Sequence, residues 1–341
     1  MHSYEKKINR LFFYWLFLSL ILVFSIIIVG GLTRLTNSGL SITEWELFKG
    51  ILPPLSYSSW QFYFEEYKKI PQYQLLNNNM SLDEFKVIFY WEYFHRILAR
   101  LIGLFFLIPL VLFYLSKKIK YEYMNICYII FVLIFLQGII GWYMVVSGLT
   151  KDVTVSHYRL SIHLVNAIII ISMLFWLIKI ITTKKDKIFF NFSVKNLPFQ
   201  ILILLILAQI IIGAFVSGLD AGRIYQTWPL MGHTYFPDDF SFKGFYNFFD
   251  FNNHSLVQFY HRNLAYFIIF YIVVLSINIF KKRLSYLYKP LKILLFILSL
   301  QVILGIFTLL SGLNIFLASL HQIVSVLLIF SALNLYFLRL K

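Results

Sequence analysis

The sequence predicts an all-α polytopic membrane protein: eight transmembrane helices forming two quasi-two-fold-related four-helix bundles. Three observations carry that prediction. Of 341 residues, 60% are hydrophobic, 20% aromatic and only 13% charged, against roughly half apolar and a quarter charged in soluble domains. Eight apolar runs reach the length of about 20 residues that crosses a bilayer core. The chain also repeats itself: WEYFHRILAR at 91–100 returns as VQFYHRNLAY at 257–266.

The first span, 11–31, follows Lys6, Lys7 and Arg10. Its apolar run is too long for a signal peptide and no small-residue cleavage site follows, so it reads as a retained first helix. GGLTRLTNSGL opens a connection, 32–90, with Trp45, Pro53, Pro54, Trp60 and Pro71, and Trp91 at its edge. The second span, 91–115, carries His95; the third, 124–147, runs into QGIIGWYMVVSGL; the fourth, 158–180, holds His163 in LSIHLVNA. The fifth, 199–219, ends in IIGAFVSGLDAG and opens a second long connection, 220–255, with Trp228, Pro229 and Pro237. The sixth, 256–280, carries His261, and the eighth, 315–338, holds His321 in LASLHQIV. Between them the seventh, 291–312, contains QVILGIFTLLSGL, its Gln, Gly and Ser-Gly-Leu in step with the third. Each half, 1–185 and 195–341, thus has four spans and enters and leaves at one face, as a parallel duplication about an axis along the membrane normal does. Both long connections exceed a plain turn, and their aromatic and polar residues suit the membrane interface. They read either as covers over a pocket mouth or as packed loops.

The formal charge is +15, yet its distribution excludes nucleic-acid binding. Basic residues gather at the amino terminus and in alternate short loops: Lys117, Lys118, Lys120; Lys184, Lys185, Lys187, Lys195; Lys281, Lys282, Arg283, Lys289. This is the positive-inside pattern, with both termini cytoplasmic. Cys127 is the only cysteine, so no intramolecular disulfide or thiolate cluster can form, and its place is packing.

Ionisable side chains inside spans are functional candidates by default. His95, His163, His261 and His321 all lie near the start of even-numbered spans, at one depth in the outer part of the bilayer. Two imidazoles per half, from different helices, suit the two faces of a haem. Zinc is the rival, but it would need further His, Cys or carboxylate ligands that the second half's helices lack. Arg96 and Arg262 follow the histidines directly, and Arg159 lies one turn before His163. They read either as partners for haem propionates or as interfacial arginines. Glu92, three residues before His95, shares its face, whereas the second half has Gln258 there. One pocket is therefore read as doing chemistry and the other as holding a haem; the alternative is an interfacial carboxylate paired with Arg96. His2, His233 and His254 read as surface residues.

These residues resemble the haem A synthase family, specifically its proteobacterial and mitochondrial class. The resemblance covers nearly the whole chain and is most specific in GGLTRLTNSGLSITEW at 30–45, EFKVIFYWEYFHR at 84–96, YRLSIHL at 158–164, GLDAGRIYQTWPLMG at 218–232 and VQFYHR at 257–262. It implies two four-helix bundles and oxidation of the C8 methyl of haem O to a formyl group through a hydroxymethyl intermediate. It implies His261 and His321 as axial ligands of haem B, with His95 and His163 beside the substrate and Glu92 as the essential carboxylate. It also implies a multi-pass protein of the cell inner membrane, haem O synthase as donor, and a membrane electron acceptor; a homo-oligomer stays open. Some members carry an outer-loop cysteine pair, and this chain has none. The rival reading is a non-catalytic bis-His electron carrier of the cytochrome b kind, which would stack haems near both faces. A transporter with inverted repeats is disfavoured by the even, four-span halves.

Overall fold

The computed structural model describes residues 2–44, 49–149, 153–241 and 244–340, without the side chains of 2–8 and Lys49; Trp45 lies outside them. Among the described residues no β-strand forms, and eight helices are long and apolar enough to span a membrane. In lipid every backbone polar group must be satisfied within its own segment, which helices achieve. The chain divides into two compact units, Met1–Ile178 and Lys179–Lys341.

In the first unit, α1 (His2–Leu35) packs along α4 (Leu82–Ser116), which packs on α5 (Tyr121–Gly148). Side-chain hydrogen bonds described below join α6 (His157–Thr183) to α5. Helix α4 starts at Leu82, well before the expected 91. Its 35 residues extend about 50 Å, longer than a hydrocarbon core of about 30 Å, so its first turns form an extramembrane post. A capping box starts it: Ser81 Oγ accepts from the Glu84 amide at 3.3 Å and Glu84 Oε2 accepts from the Ser81 amide at 2.8 Å. Against this post packs a small core within the connection 32–90, which contains α2 (Tyr57–Lys68) and α3 (Pro71–Leu76) as well as the short turn Lys49–Ile51. Trp60, Phe64 and Tyr67 of α2 are buried on Phe85 and Phe89 of α4. Tyr67 accepts from Asn77 Nδ2 at 2.7 Å and donates to Gln72 Oε1 at 3.0 Å, and burial pushes its phenol up to about 12.

In the second unit, α7 (Leu197–Gly218), α8 (His254–Lys281), α9 (Tyr288–Leu310) and α10 (Ile315–Arg339) form a closed ring in which α7 meets α8, α8 meets α9, α9 meets α10 and α10 returns to α7. Lys187 Nζ donates to Phe337 O at 2.7 Å and also to Leu340 O, holding the terminal carbonyls of α10.

Polar side chains within the spans mostly bond to their own helix. Ser19 Oγ donates to Trp15 O at 2.8 Å, Thr33 Oγ1 to Val29 O at 2.9 Å, Ser276 Oγ to Ile272 O at 2.6 Å and Thr308 Oγ1 to Leu304 O at 2.7 Å. Outward faces are apolar; Ile129, Val132, Phe135 and Ile139 of α5 are exposed, as a lipid-facing helix requires. Cys127 is fully buried in α5, in the packing role expected of it.

Candidate functional site

His261 on α8 and His321 on α10 face each other with ring centroids 6.4 Å apart and planes at 74°. Two metal–imidazole bonds of about 2 Å, with the half-width of each ring added, put the centroids about 6 Å apart. The pair therefore fits one metal ion held from both sides. His321 Nδ1 lies 3.1 Å from the Gln301 carbonyl; only an Nδ1–H can donate there, so Nε2 keeps its lone pair for a metal. Gln209 Nε2 donates to the His261 carbonyl at 2.9 Å and stands 3.2 Å from its Nδ1.

The close approach of each ring to a neighbouring helix depends on glycine. A Cβ at Gly213 would stand 3.0 Å from His261 Cε1, and one at Gly305 would stand 2.8 Å from His321 Cε1. The first unit repeats the device. A Cβ at Gly30 on α1 would stand 2.9 Å from His95 Cε1, and one at Gly141 on α5 would stand 3.1 Å from His163 Cε1. Four histidines on four helices are thus each seated against a glycine of the preceding membrane helix. Gln137 Nε2 donates to the His163 carbonyl at 3.0 Å, and its Oε1 accepts from Asn166 Nδ2 at 2.6 Å. The Nδ1 atoms of His95 and His163 are buried without a hydrogen-bond partner, as donors left for a prosthetic group or substrate would be. Among the described residues no three His, Cys, Asp or Glu side chains cluster as ligands of a bare ion, so the donor set suits a macrocycle that brings its own equatorial nitrogens.

Beside each first histidine, a residue pair four apart clamps the adjacent long connection. Glu92 is 2% exposed. Its Oε2 accepts from Ser41 Oγ at 2.8 Å and the Ile42 amide at 2.9 Å, and its Oε1 accepts from Arg96 Nη2 at 2.6 Å. Arg96 also donates to Ile42 O at 2.9 Å and Glu44 O at 3.2 Å. In the second unit Gln258 Nε2 and Arg262 Nη2 both donate to Tyr225 O at 2.9 Å, and Arg262 Nη1 to Leu230 O at 3.2 Å. Gln258 Oε1 and Arg262 Nε are left buried and unpartnered. The ion pair anticipated between Glu92 and Arg96 is therefore real, and it belongs to one unit only. A cavity of about 20 Å³ beside Arg96 and Arg100, walled by Ile42, Glu44 and Tyr93, holds about one water and is no macrocycle pocket.

Arg159 lies with its guanidinium 4.9 Å from the centre of the Tyr143 ring, a cation–π seat where α5 ends and α6 begins. His233 and His254 are exposed; His2 has no described side chain. The sequence reading passed over His157, which is buried at the start of α6 against Tyr158, ring centroids 4.0 Å apart. Its signal was its place in the chain, six residues before His163. It also gave no role to the glycines or to Gln137, Gln209 and Gln301, although Q-x-x-x-G recurs at 137–141, 209–213 and 301–305. In the connection 220–255 Tyr225 donates toward Asp238 Oδ1 and Asp239 Oδ1, both at 2.8 Å, and Ser255 donates to Asp239 Oδ2 at 2.6 Å. Burial, then these carboxylates, push the Tyr225 phenol up, and the Tyr225 hydrogen bond holds Asp238 below the usual carboxylate range.

Residues 13–333 match the family model for cytochrome oxidase assembly protein, COX15-CtaA. The chain is 50% identical over 303 residues to heme A synthase of Pelagibacter ubique (strain HTCC1062), covering 88% of each chain. It is 44% identical over 263 residues to heme A synthase of Parvibaculum lavamentivorans, covering 76% of this chain and 75% of that one. Heme A synthase of Rickettsia felis is 41% identical over 306 residues, covering 88% and 90%.

Proposed function

The chain belongs to the haem A synthase family of cytochrome oxidase assembly proteins, and from that premise we propose how its two units divide the work. It is a multi-pass membrane oxidoreductase that converts haem O to haem A. The observation that supports a division of labour is the charge difference between two otherwise matching sites, Glu92 with Arg96 in one unit and Gln258 with Arg262 in the other. The carboxylate marks the reacting side.

In this reading residues 195–341 hold a resident haem B between His261 and His321. Haem B bound there supplies a one-electron redox centre that passes electrons to a membrane acceptor. The Gln301 carbonyl holds the proton of His321 on Nδ1, and Gly213 and Gly305 let both rings close on the site. Residues 1–185 receive haem O, with His95 and His163 turned to its two faces. Oxidation of the C8 methyl through hydroxymethyl to formyl draws electron density from one carbon and releases protons. Glu92 answers with a fixed negative charge: the Ser41 hydroxyl, the Ile42 amide and Arg96 already hold it, so no slow reorganisation is needed as positive charge develops. Arg159, Arg96 and Arg262 are the candidates to meet propionates, with Arg96 and Arg262 also holding the carbonyls of Ile42, Glu44, Tyr225 and Leu230 and Arg159 lying over Tyr143. The protein sits in the inner membrane with both termini cytoplasmic, and haem O synthase hands it the substrate.

The test is haem identification by mass and visible spectrum on the purified full chain. His261→Ala and His321→Ala should each lose the low-spin spectrum and haem B content. Unchanged spectra in both variants reject the assignment.

A further inference from the structure

One position breaks the fourfold pattern of glycine-seated histidines. One turn before the seating glycine stand Gln137, Gln209 and Gln301 in three of the helices, but Ile26 in α1. Residues four apart share a helix face, so each glutamine lies on the side that meets the histidine. Gln137 bonds the His163 carbonyl, Gln209 bonds the His261 carbonyl and touches its ring, and Gln301 sets its amide 3.4 Å from His321 Nε2, while its backbone carbonyl takes the His321 Nδ1 proton. Ile26 is half-buried and apolar, and its side chain can make none of the amide contacts. Among the described residues no side chain hydrogen-bonds His95 at its ring or its carbonyl, and its Nδ1 is buried without a partner.

We propose that Ile26 is a positioning residue by omission: it leaves His95 the one histidine of the four that no neighbouring side chain holds at ring or carbonyl, so that the first unit releases its haem while the second retains one. The proposal rests on the reading of the first unit as the substrate side and explains how that side turns over. A substrate pocket must let its product go, whereas a resident cofactor must survive every cycle. A ligand that no side chain holds gives way at lower cost than one steadied by an amide. The second unit has both rings contacted, at His261 and His321; the first has neither, and at His95 it lacks even the backbone bond that His163 keeps.

The experiment follows haem transfer from the purified full chain to excess apomyoglobin, with each haem identified by mass. Wild type should release haem O and haem A in a fast phase and haem B in a slow one. Ile26→Gln should slow the fast phase about fivefold, the size of one net hydrogen bond, and raise co-purified haem O or haem A, leaving the haem B phase unchanged. Ile26→Leu, which alters shape without an amide, should leave both phases unchanged. Gln209→Leu should speed the haem B phase and shift its low-spin spectrum. An unaltered fast phase in Ile26→Gln that keeps its haem B spectrum overturns the proposal, as does equal slowing in Ile26→Leu. Should Ile26→Gln fail to fold, an unaltered haem B phase in Gln209→Leu overturns it alone. His95→Ala separates the two levels. If it still binds and oxidises haem O normally, the assignment of the first unit falls; if it abolishes both while Ile26→Gln is neutral, only the role of Ile26 falls.

Discussion

At the scale of single residues, the seating glycines make a prediction whose sign is set by geometry against propensity. Replacing a helix-interior glycine with alanine ordinarily stabilises by about 0.5–1 kcal/mol. Gly103→Ala and Gly138→Ala, where nothing lies within 4 Å of the new methyl, should therefore raise the melting temperature slightly and leave the haem spectrum alone. Gly213→Ala and Gly305→Ala put the same methyl 3.0 and 2.8 Å from an imidazole. Overpacking of about 1–3 kcal/mol should then outweigh propensity, and absorption spectra should show weakened low-spin haem. Glu92→Gln makes the first site resemble the second while keeping shape. We expect it to fold, keep its haem B, and lower haem A yield about tenfold or more, since a charged hydrogen bond is worth about 1.5–3 kcal/mol, with haem O or the hydroxylated intermediate accumulating by mass. A normal yield would remove Glu92 from the chemistry and leave it only its clamp on Ser41 and Ile42. The histidines, Glu92 and the arginines were legible because an ionisable group in a span is costly and stands out. The glycines were not, because a missing methyl matters only against a ring on another helix, and no periodicity within one helix reports that.

At the scale of elements, apolar runs located all eight spans but missed how far they continue. Helix α4 extends from Leu82 because Ser81 and Glu84 cap it and because Trp60, Phe64 and Tyr67 cover its polar-flanked first turns. Hydropathy falls there while helix persists, so the expected start at 91 was late. Helices α2 and α3 inside 32–90 escaped for the same reason: each is short, and tertiary burial rather than length sustains it. Among its described residues the connection 220–255 has no α-helix of that kind. It is held instead through Tyr225, whose carbonyl receives Gln258 and Arg262 and whose hydroxyl reaches Asp238 and Asp239. This predicts a pH dependence of definite sign. The folded Asp238 carboxyl lies below its ordinary value, so its contribution is complete above the unfolded pKa of about 4 and is lost as pH falls through the folded value. Protection against hydrogen exchange in 225–239, taken relative to the intrinsic rate at each pH, should fall as the medium is acidified below about pH 4, and Asp238→Asn should flatten that dependence. An equally steep acid response in Asp238→Asn would assign it to other groups.

At the scale of the whole molecule, the orientation of the chain rests on an asymmetry of charge that the fold now gives physical detail. The connection carrying Lys184, Lys185 and Lys187 is short, and Lys187 is drawn onto the last carbonyls of α10, so this connection and the carboxyl terminus share one face. The connection 32–90, by contrast, carries a folded aromatic core with Trp60 and Tyr67 inside it, too large a structure to leave in hydrocarbon. Basic residues flanking spans favour the cytoplasmic side, and that rule predicts 184–195 and both termini inside and 32–90 and 220–255 outside. The chain is well suited to a direct test. Its single cysteine, Cys127, is fully buried and should stay silent to a membrane-impermeant thiol reagent, so new cysteines can be introduced without a background. Lys185 and Ser58 are both exposed. In intact spheroplasts Ser58→Cys should label and Lys185→Cys should not; in inverted vesicles the two should exchange. Labelling of Lys185→Cys from the outer face alone would reverse the molecule. It would also move Glu92, His95 and the loop they sit beneath to the opposite side, and with them the side at which haem O is oxidised.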